Sequence, residues 1–390
     1  MALHYTPAMF KRILSCTLLA CALLHGATTL QVGRDKPFAT PCAAIAVSAP
    51  GDIIEIDADL YRRDVCVIRT SDLTLRGVNG RAHLEAADAS AQGKAIWVIK
   101  GNDVVVENIE FSGASVRDQN GAGIRAEGRN LTVRNCYFHD NQDGILESSV
   151  AGSTVIIEFS EFDHNGFSTG QAHNLYIGHA ALLIFRYNYS HNAKVGHLLK
   201  SRAAENWIIY NRLSGETPGN TSYEINLPNG GTSWVVGNVI EQSKNTGNST
   251  MISYLEEGME ARNPGHDLHV INNTLVNERA AGGTFIRPTD KADPPVIANN
   301  IFSGPGVICT QPATLIANFV GDPLFVDAEH YDYHLLAGSP AIDGGDLSFT
   351  PTPNFEYLHP ACGEARSTVG AGVDIGAFEF GGAGAPLACR

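Results

Sequence analysis

A six-residue phrase returns seven times between residues 133 and 302: VRNCYF, IEFSEF, IFRYNY, IIYNRL, VVGNVI, VINNTL and IANNIF. Its fourth position is Cys136, Ser160, Tyr187, Asn211, Asn238, Asn273 and Asn300, at intervals of 24 to 35 residues. Three positions earlier stand Val133, Ile157, Ile184, Ile208, Val235, Val270 and Ile297, β-branched every time. β-Branched residues favour strands, and the accompanying Asn and Gly penalise helices, so the unit is built of short strands. Apolar residues at steps 0, 3 and 5 cannot share one side of a straight strand, so each phrase contains a bend. Asn tolerates the left-handed backbone a tight bend needs, and stacked Asn amides can bond along the stack. Short strands recurring at this period predict an all-β chain, a parallel β-helix of about nine or ten coils.

The segments SDLTLRGVNG and NDVVVENIEF fit as less regular first coils, and Thr28 to Asp59 would cap the N-terminal end. An open stack of strands needs such caps against edge pairing. After LIANFVGDPLF the repeat fades into a closing coil. The expected division is 1–27 export signal, 28–345 parallel β-helix, and 346–390 C-terminal cap with a flexible tail, GGAGAPLACR.

Lys11 and Arg12 precede the apolar run Ile13 to Leu24, too short to span a bilayer as a helix, and Gly26 and Ala27 follow. That order is an export signal, which predicts a secreted or periplasmic protein with no transmembrane segment in the mature chain. A secondary reading takes Leu18-Leu19-Ala20-Cys21 as a lipoprotein site with Cys21 lipidated. Export permits disulfides, and Cys42 with Cys66 could staple the N-terminal edge; the absence of C-x-x-C leaves a zinc ribbon without support. A formal net charge of -14 argues against nucleic acid as partner. A capped β-helix needs no second copy for stability, so monomer is the default.

Counting back from the phrase locates a second strand in each coil, with Ile124, Ile145, Leu175, Leu199 and Ile225 as an inward column. Side chains alternate along a strand, so the outward column reads Arg125, Leu146, Tyr176, Lys200, Asn226, with Arg202 and Glu224 flanking it. Strands stack about 4.8 Å apart and i, i+2 neighbours lie about 6.6 Å apart, which gathers Tyr176, Lys200, Arg202, Glu224 and Asn226 into one patch. Arg and Lys bind a uronate carboxylate through charge-assisted hydrogen bonds, and neutralising it acidifies the adjacent C–H. Lys200 can then act as base if its pKa is lowered, which a neighbouring Arg202 favours and a pairing Glu224 opposes; Tyr176 can protonate the leaving oxygen or share the base role. Arg125, His173, His197, Glu224 and Asn226 are the expected substrate-binding residues.

Histidines crowd the same side: His164, His173, His179, His191 and His197. His164 and His191 take equivalent places in successive coils after Asp140, and Asn141, Asn165 and Asn192 form a further column, patterns that suit stacked hydrogen-bonding ladders. The candidate calcium ligands are Asp140, Asp143, Glu147 and Asp163, since a hard cation takes several oxygens.

The ladder, together with the ending DPLF…LLAGSPAIDGG…DIGAFE, resembles the right-handed parallel β-helix proteins of the pectate-lyase-like superfamily over most of residues 30 to 380. The resemblance implies a right-handed single-stranded β-helix, an acidic glycan as partner and calcium as a candidate cofactor, one common in the superfamily. In superfamily lyases that cleave alginate or dermatan-type chains, a lysine base works with an arginine from a neighbouring coil. Lys200 resembles that lysine; the next coil here, SYEINLPNGG, carries no arginine, and Arg202 stands as the substitute. The expected activity is β-elimination on a uronate-containing polysaccharide by Lys200, Arg202 and Tyr176. The same architecture also carries uronate C5-epimerases, glycoside hydrolases and adhesive glycan binders, which stay open as alternatives.

Overall fold

A computed structural model describes residues 26–167, 170–348 and 351–389; the apolar run of the expected export signal and Cys21 lie outside the described residues. The chain winds through three parallel sheets, visited in the same order in every coil. The first has 12 strands, the second 11 and the third 10. Their inner faces form one continuous core. Val133, Ile157, Phe185, Ile208, Val235, Val270 and Ile297 stand in register on the first sheet. On the third sheet Ile124, Ile145, Leu175, Leu199 and Ile225 are fully buried, as the alternation predicted. Burying each such side chain contributes about 1.5–3 kcal/mol, so stacking coils, and not any one strand, stabilises the fold. Among the described residues no helix is long and apolar enough to cross a membrane.

The corner between the first and second sheets carries the amide ladder. Asn188 donates to Asn211 at 3.1 Å, and Asn211 to Asn238, Asn238 to Asn273 and Asn273 to Asn300 at 2.9 Å each. The phrase IFRYNY therefore aligns one residue later than expected. Asn188, not Tyr187, joins the ladder, Phe185 takes the inward place, and Ile184 faces outward between Ile156 and Trp207. The left-handed residue is the one before the ladder: Phe159, Tyr187, Tyr210 and Asn272 have φ of 54°, 57°, 56° and 51°. The bend fixes the phrase, and the amide after it serves the stack.

At the next corner Asn141 donates to Asn165 and Asn165 to Asn174, at 3.0 and 3.1 Å. Asn192 is not a member; it shares the left-handed corner with Asp140 and His164, at φ of 49°, 54° and 51°. His191 stands one residue earlier, in register with Asp163 and so with His139.

At the N-terminal end the helix Pro41–Ile45 packs beside the first strands, and Cys42 is disulfide-bonded to Cys66. Past the last coil come an antiparallel pair, Phe325–Asp327 with Asp332–Leu335, and a three-stranded antiparallel sheet, Phe355–Leu358, Cys362–Arg366 and Ala383–Pro386. The glycine-rich ending is thus not a loose tail: it supplies an edge strand, and Cys389 is disulfide-bonded to Cys362. This closing segment folds back along the first corner, where Phe355 meets the rings of Tyr187 and Tyr210 edge-on at 6.0 and 5.9 Å.

Candidate active site

Lys200 sits mid-strand in Leu199–Ser201, between inward Leu199 and buried Ser201, and can only point outward. Its register partners are Tyr176 on one side and Asn226 on the other, and the column runs Arg125, Leu146, Tyr176, Lys200, Asn226, Ser253, Arg287. Arg202, two residues on, shares the face. Its Nε donates to the Tyr176 hydroxyl at 2.7 Å, while another guanidinium nitrogen holds the Asn229 side-chain oxygen. Lys200 Nζ lies 5.2 Å and the Arg202 guanidinium carbon 5.7 Å from the Tyr176 ring centre. Phenol, amine and guanidinium do converge, as the register implied.

The acid in this patch is not the expected one. Glu224 is fully buried, accepting from Gln242 Nε2 at 3.3 Å beside Glu241, and is off the Lys200 face. Alternation fails there because the corner turns two consecutive residues inward in successive coils: Asn174 with Leu175, Leu198 with Leu199, Glu224 with Ile225, and Met251 with Ile252 are all completely buried. Glu257 takes the role instead. It arrives from the turn after Thr250–Tyr254, and its carboxylate bridges Arg202 at 2.6 Å and Lys200 at 3.4 Å. Asn226 is outward but covered, donating to Glu256 at 2.6 Å, and Ser253 Oγ bonds the same carboxylate.

Electrostatics follow from this packing. The Lys200 side chain is only 13% exposed. Burial, with the Arg202 charge assisting, holds its ammonium below the ordinary lysine range even though Glu257 pulls the other way. Burial would lower Arg202 too, but its bonds to Tyr176 and Glu257 hold it above its ordinary value. Glu257 resists the rise that burial favours and is held low by Arg202 and Lys200.

His173 and His197 line the edge of the patch as a stacked pair with ring centres 4.3 Å apart. The backbone N–H of His197 donates to His173 Nδ1 at 3.1 Å, and that of Tyr223 to His197 Nδ1 at 3.3 Å. An Nδ1 that accepts has no proton, so each neutral ring carries its hydrogen on Nε2. Burial pushes both pKa values down, that of His197 to about 3, so neither is a cation near neutrality. Arg125, three coils before Lys200, bonds Ser148 at 2.8 Å, and Leu146 separates it from Tyr176.

The calcium candidates do not converge. Asp143 accepts from the backbone N–H of His173, and Glu147 from those of Ser149, Val150 and Gly178. Asp140 pairs with His139 and Lys194 at the corner beyond, and Asp163 with His164 and His191. Carboxylates committed to backbone donors and to cations on separate faces make no shared oxygen cage.

Sequence reasoning missed Ser253 and Arg287, although Ile252 and Ile286 continue the inward column and would have placed them. It also missed Tyr223, which stands two residues before the inward Ile225 as His173 and His197 stand before Leu175 and Leu199, and Glu257 and Asn229, for which no periodic signal exists.

The sequence profile described as the right-handed β-helix region matches residues 65–174. The crystal structure of pectate lyase Pel9A superposes with a TM-score of 0.63 at 15% identity, over 91% of this chain and 97% of that one. The chain is a right-handed parallel β-solenoid of pectate-lyase-like architecture. Weaker superpositions include the alginate lyase from Paenibacillus sp. str. FPU-7, at TM-score 0.42 and 12% identity over 75% of this chain and 99% of that one. The pectin methylesterase from Aspergillus niger gives 0.39 and 13% over 80% and 91%. At such identities the likeness is one of fold, and the last two scores carry no argument. No curated protein sequence matches the solenoid significantly.

Proposed function

We propose that this solenoid is an exported polysaccharide lyase that cleaves an acidic, uronate-containing glycan by β-elimination. The observation that carries the reading is the single carboxylate of Glu257 shared by Arg202 and Lys200, beside a phenol that Arg202 itself holds. A uronate carboxylate has the same chemistry and would take that place. Arg202 would neutralise it and stabilise the negative charge that grows as the neighbouring C–H ionises. Lys200, with its lowered pKa, takes that proton; the electron pair forms the C=C bond and expels the glycosidic oxygen. Because the Tyr176 oxygen already accepts from Arg202, its own O–H is free to donate to the leaving oxygen. The neutral Nε2–H groups of His173 and His197 and the Arg125 guanidinium would contact flanking sugars.

Hydrolysis is disfavoured because it needs two carboxyl groups across one bond, one of them protonated. Glu224 is interior, and Glu257 is held low by two cations. The test is incubation of the mature protein with a panel of uronate polymers, with and without chelator. Ultraviolet absorbance from unsaturated ends supports a lyase; altered C5 configuration without absorbance means an epimerase; new reducing ends alone mean a hydrolase. Tight binding without product, retained in Lys200→Ala, would make it an adhesive glycan binder.

A further inference from the structure

A second cluster lies on the outer face of the second sheet, two to four coils before Lys200. The strands Ala82–Glu85, Ile109–Ser112 and Tyr137–His139 come from three successive coils, with His83 in register with Glu110 and Ser112 with His139. One ligand-type atom from each of His83, Glu110 and His139 converges, all three within 4.8 Å of one another. His83 Nδ1 lies 3.3 Å and His139 Nε2 3.1 Å from the same oxygen, Glu110 Oε1.

We propose that His83, Glu110 and His139 bind a divalent transition-metal ion of the zinc class. An ion held tetrahedrally at about 2.0–2.1 Å from N and O ligands separates those ligand atoms by roughly 3.3 Å, close to the two spacings observed. The remaining ring nitrogens are already engaged: His83 Nε2 with Ser112 Oγ at 2.7 Å, and His139 Nδ1 with Asp140 Oδ2 at 3.0 Å. Such outer contacts fix the imidazole orientation at metal centres and turn the free nitrogen toward the ion. All three ligands stand on paired strands, so the geometry is rigid before any ion arrives. The side chains are 28%, 24% and 20% exposed, which leaves one side open for water or a glycan oxygen as fourth ligand. Two imidazoles with one carboxylate select zinc, nickel or copper over calcium or magnesium.

The experiment is calorimetric titration of the untagged, chelator-treated full chain with Zn²⁺, followed by anomalous diffraction from the zinc-soaked protein. One saturable equivalent is expected, with the ion between His83, Glu110 and His139. Affinity should fall at least a hundredfold in His139→Ala and about tenfold in Asp140→Asn, and stay unchanged in His164→Ala, an exposed histidine outside the cluster. Glu110→Gln keeps the shape of the side chain and provides a second readout if His139→Ala folds poorly. Absence of saturable binding, or binding unaltered in both His139→Ala and Glu110→Gln, would overturn the proposal. An ion found only at other histidines would do the same.

Discussion

The corner after the first sheet and the turn after the third both return the chain to its stack, and they are built in opposite ways. At the first corner every coil from Asn188 to Asn300 places the same amide in the same bond. At the third-sheet turn the length is not fixed: residues 202–204 suffice after Lys200, whereas 255–267 follow the strand Thr250–Tyr254 two coils on and bring Glu256, Glu257 and Asn263. Asn263 pins that longer turn by donating to the carbonyls of Arg202 and Asn229 at 3.1 and 3.2 Å. A residue stacked between identical neighbours has one chemical solution, and so it repeats. A residue that leaves the stack is set by its own loop, and there the chemistry can vary from coil to coil.

Four substitutions would break or sharpen that contrast. The largest effect is on chemistry: Lys200→Met should lower elimination by about 10²–10⁴-fold, the usual worth of a general base, with the melting temperature unchanged. Activity near wild type in that variant would remove Lys200 from the base role. Next is the ladder. Asn238→Ala removes the acceptor for both the Asn211 amide and the Asn211 backbone N–H, and those buried donors lose their partner. Roughly 3 kcal/mol of stability should go, read by denaturant unfolding, while turnover by the folded fraction stays near wild type. Glu257→Gln tests the turn. Removing the negative charge that supports the Lys200 ammonium lowers the lysine pKa further, so the acid limb of the pH–rate profile should move to lower pH. A shift toward alkali would contradict the pairing.

The smallest expected effect is a change in the shape of stability against pH. Burial pushes the Glu241 carboxyl up to about 7. An acid with a raised folded pKa contributes stability that is complete below its unfolded value and lost as pH rises through the folded one. The protein should therefore lose stability between about pH 4.5 and 7, and Glu241→Gln should flatten that loss. An unchanged slope in the variant would place the dependence on other buried acids, such as Asp143 or Glu356, each also raised to about 7.

The same contrast explains what the sequence could reveal. Strand columns were legible because period-two alternation on a stacked sheet forces Leu199 in and Lys200 out. The errors fall where that rule lapses. Glu224 precedes an inward residue and should face solvent, yet a corner turns it inside with Ile225. The β-branched Ile184 marks the phrase in sequence and points to Tyr187 as its ladder residue, whereas the left-handed bend at Tyr187 marks it in space and gives that place to Asn188. Residue type alone aligns Asn192 with Asn165 and His164 with His191, whereas the register pairs His191 with Asp163 and leaves His164 and Asn192 together at the left-handed corner. Glu257 was invisible, since only the path of its turn brings it back over two coils to Arg202. The His83, Glu110 and His139 cluster was equally hidden, because it needs the register of three strands and a diagonal contact between two of them.

The claim on which the functional account rests is that Glu257 holds the place of a substrate carboxylate between Arg202 and Lys200. A crystal structure of the Lys200→Met variant with a bound uronate oligosaccharide addresses it directly. The account predicts a sugar carboxylate on Arg202 with Glu257 displaced, the glycosidic oxygen near the Tyr176 hydroxyl, and the ionisable C–H facing residue 200. An oligosaccharide bound elsewhere on the solenoid, with Glu257 still on Arg202, would contradict it.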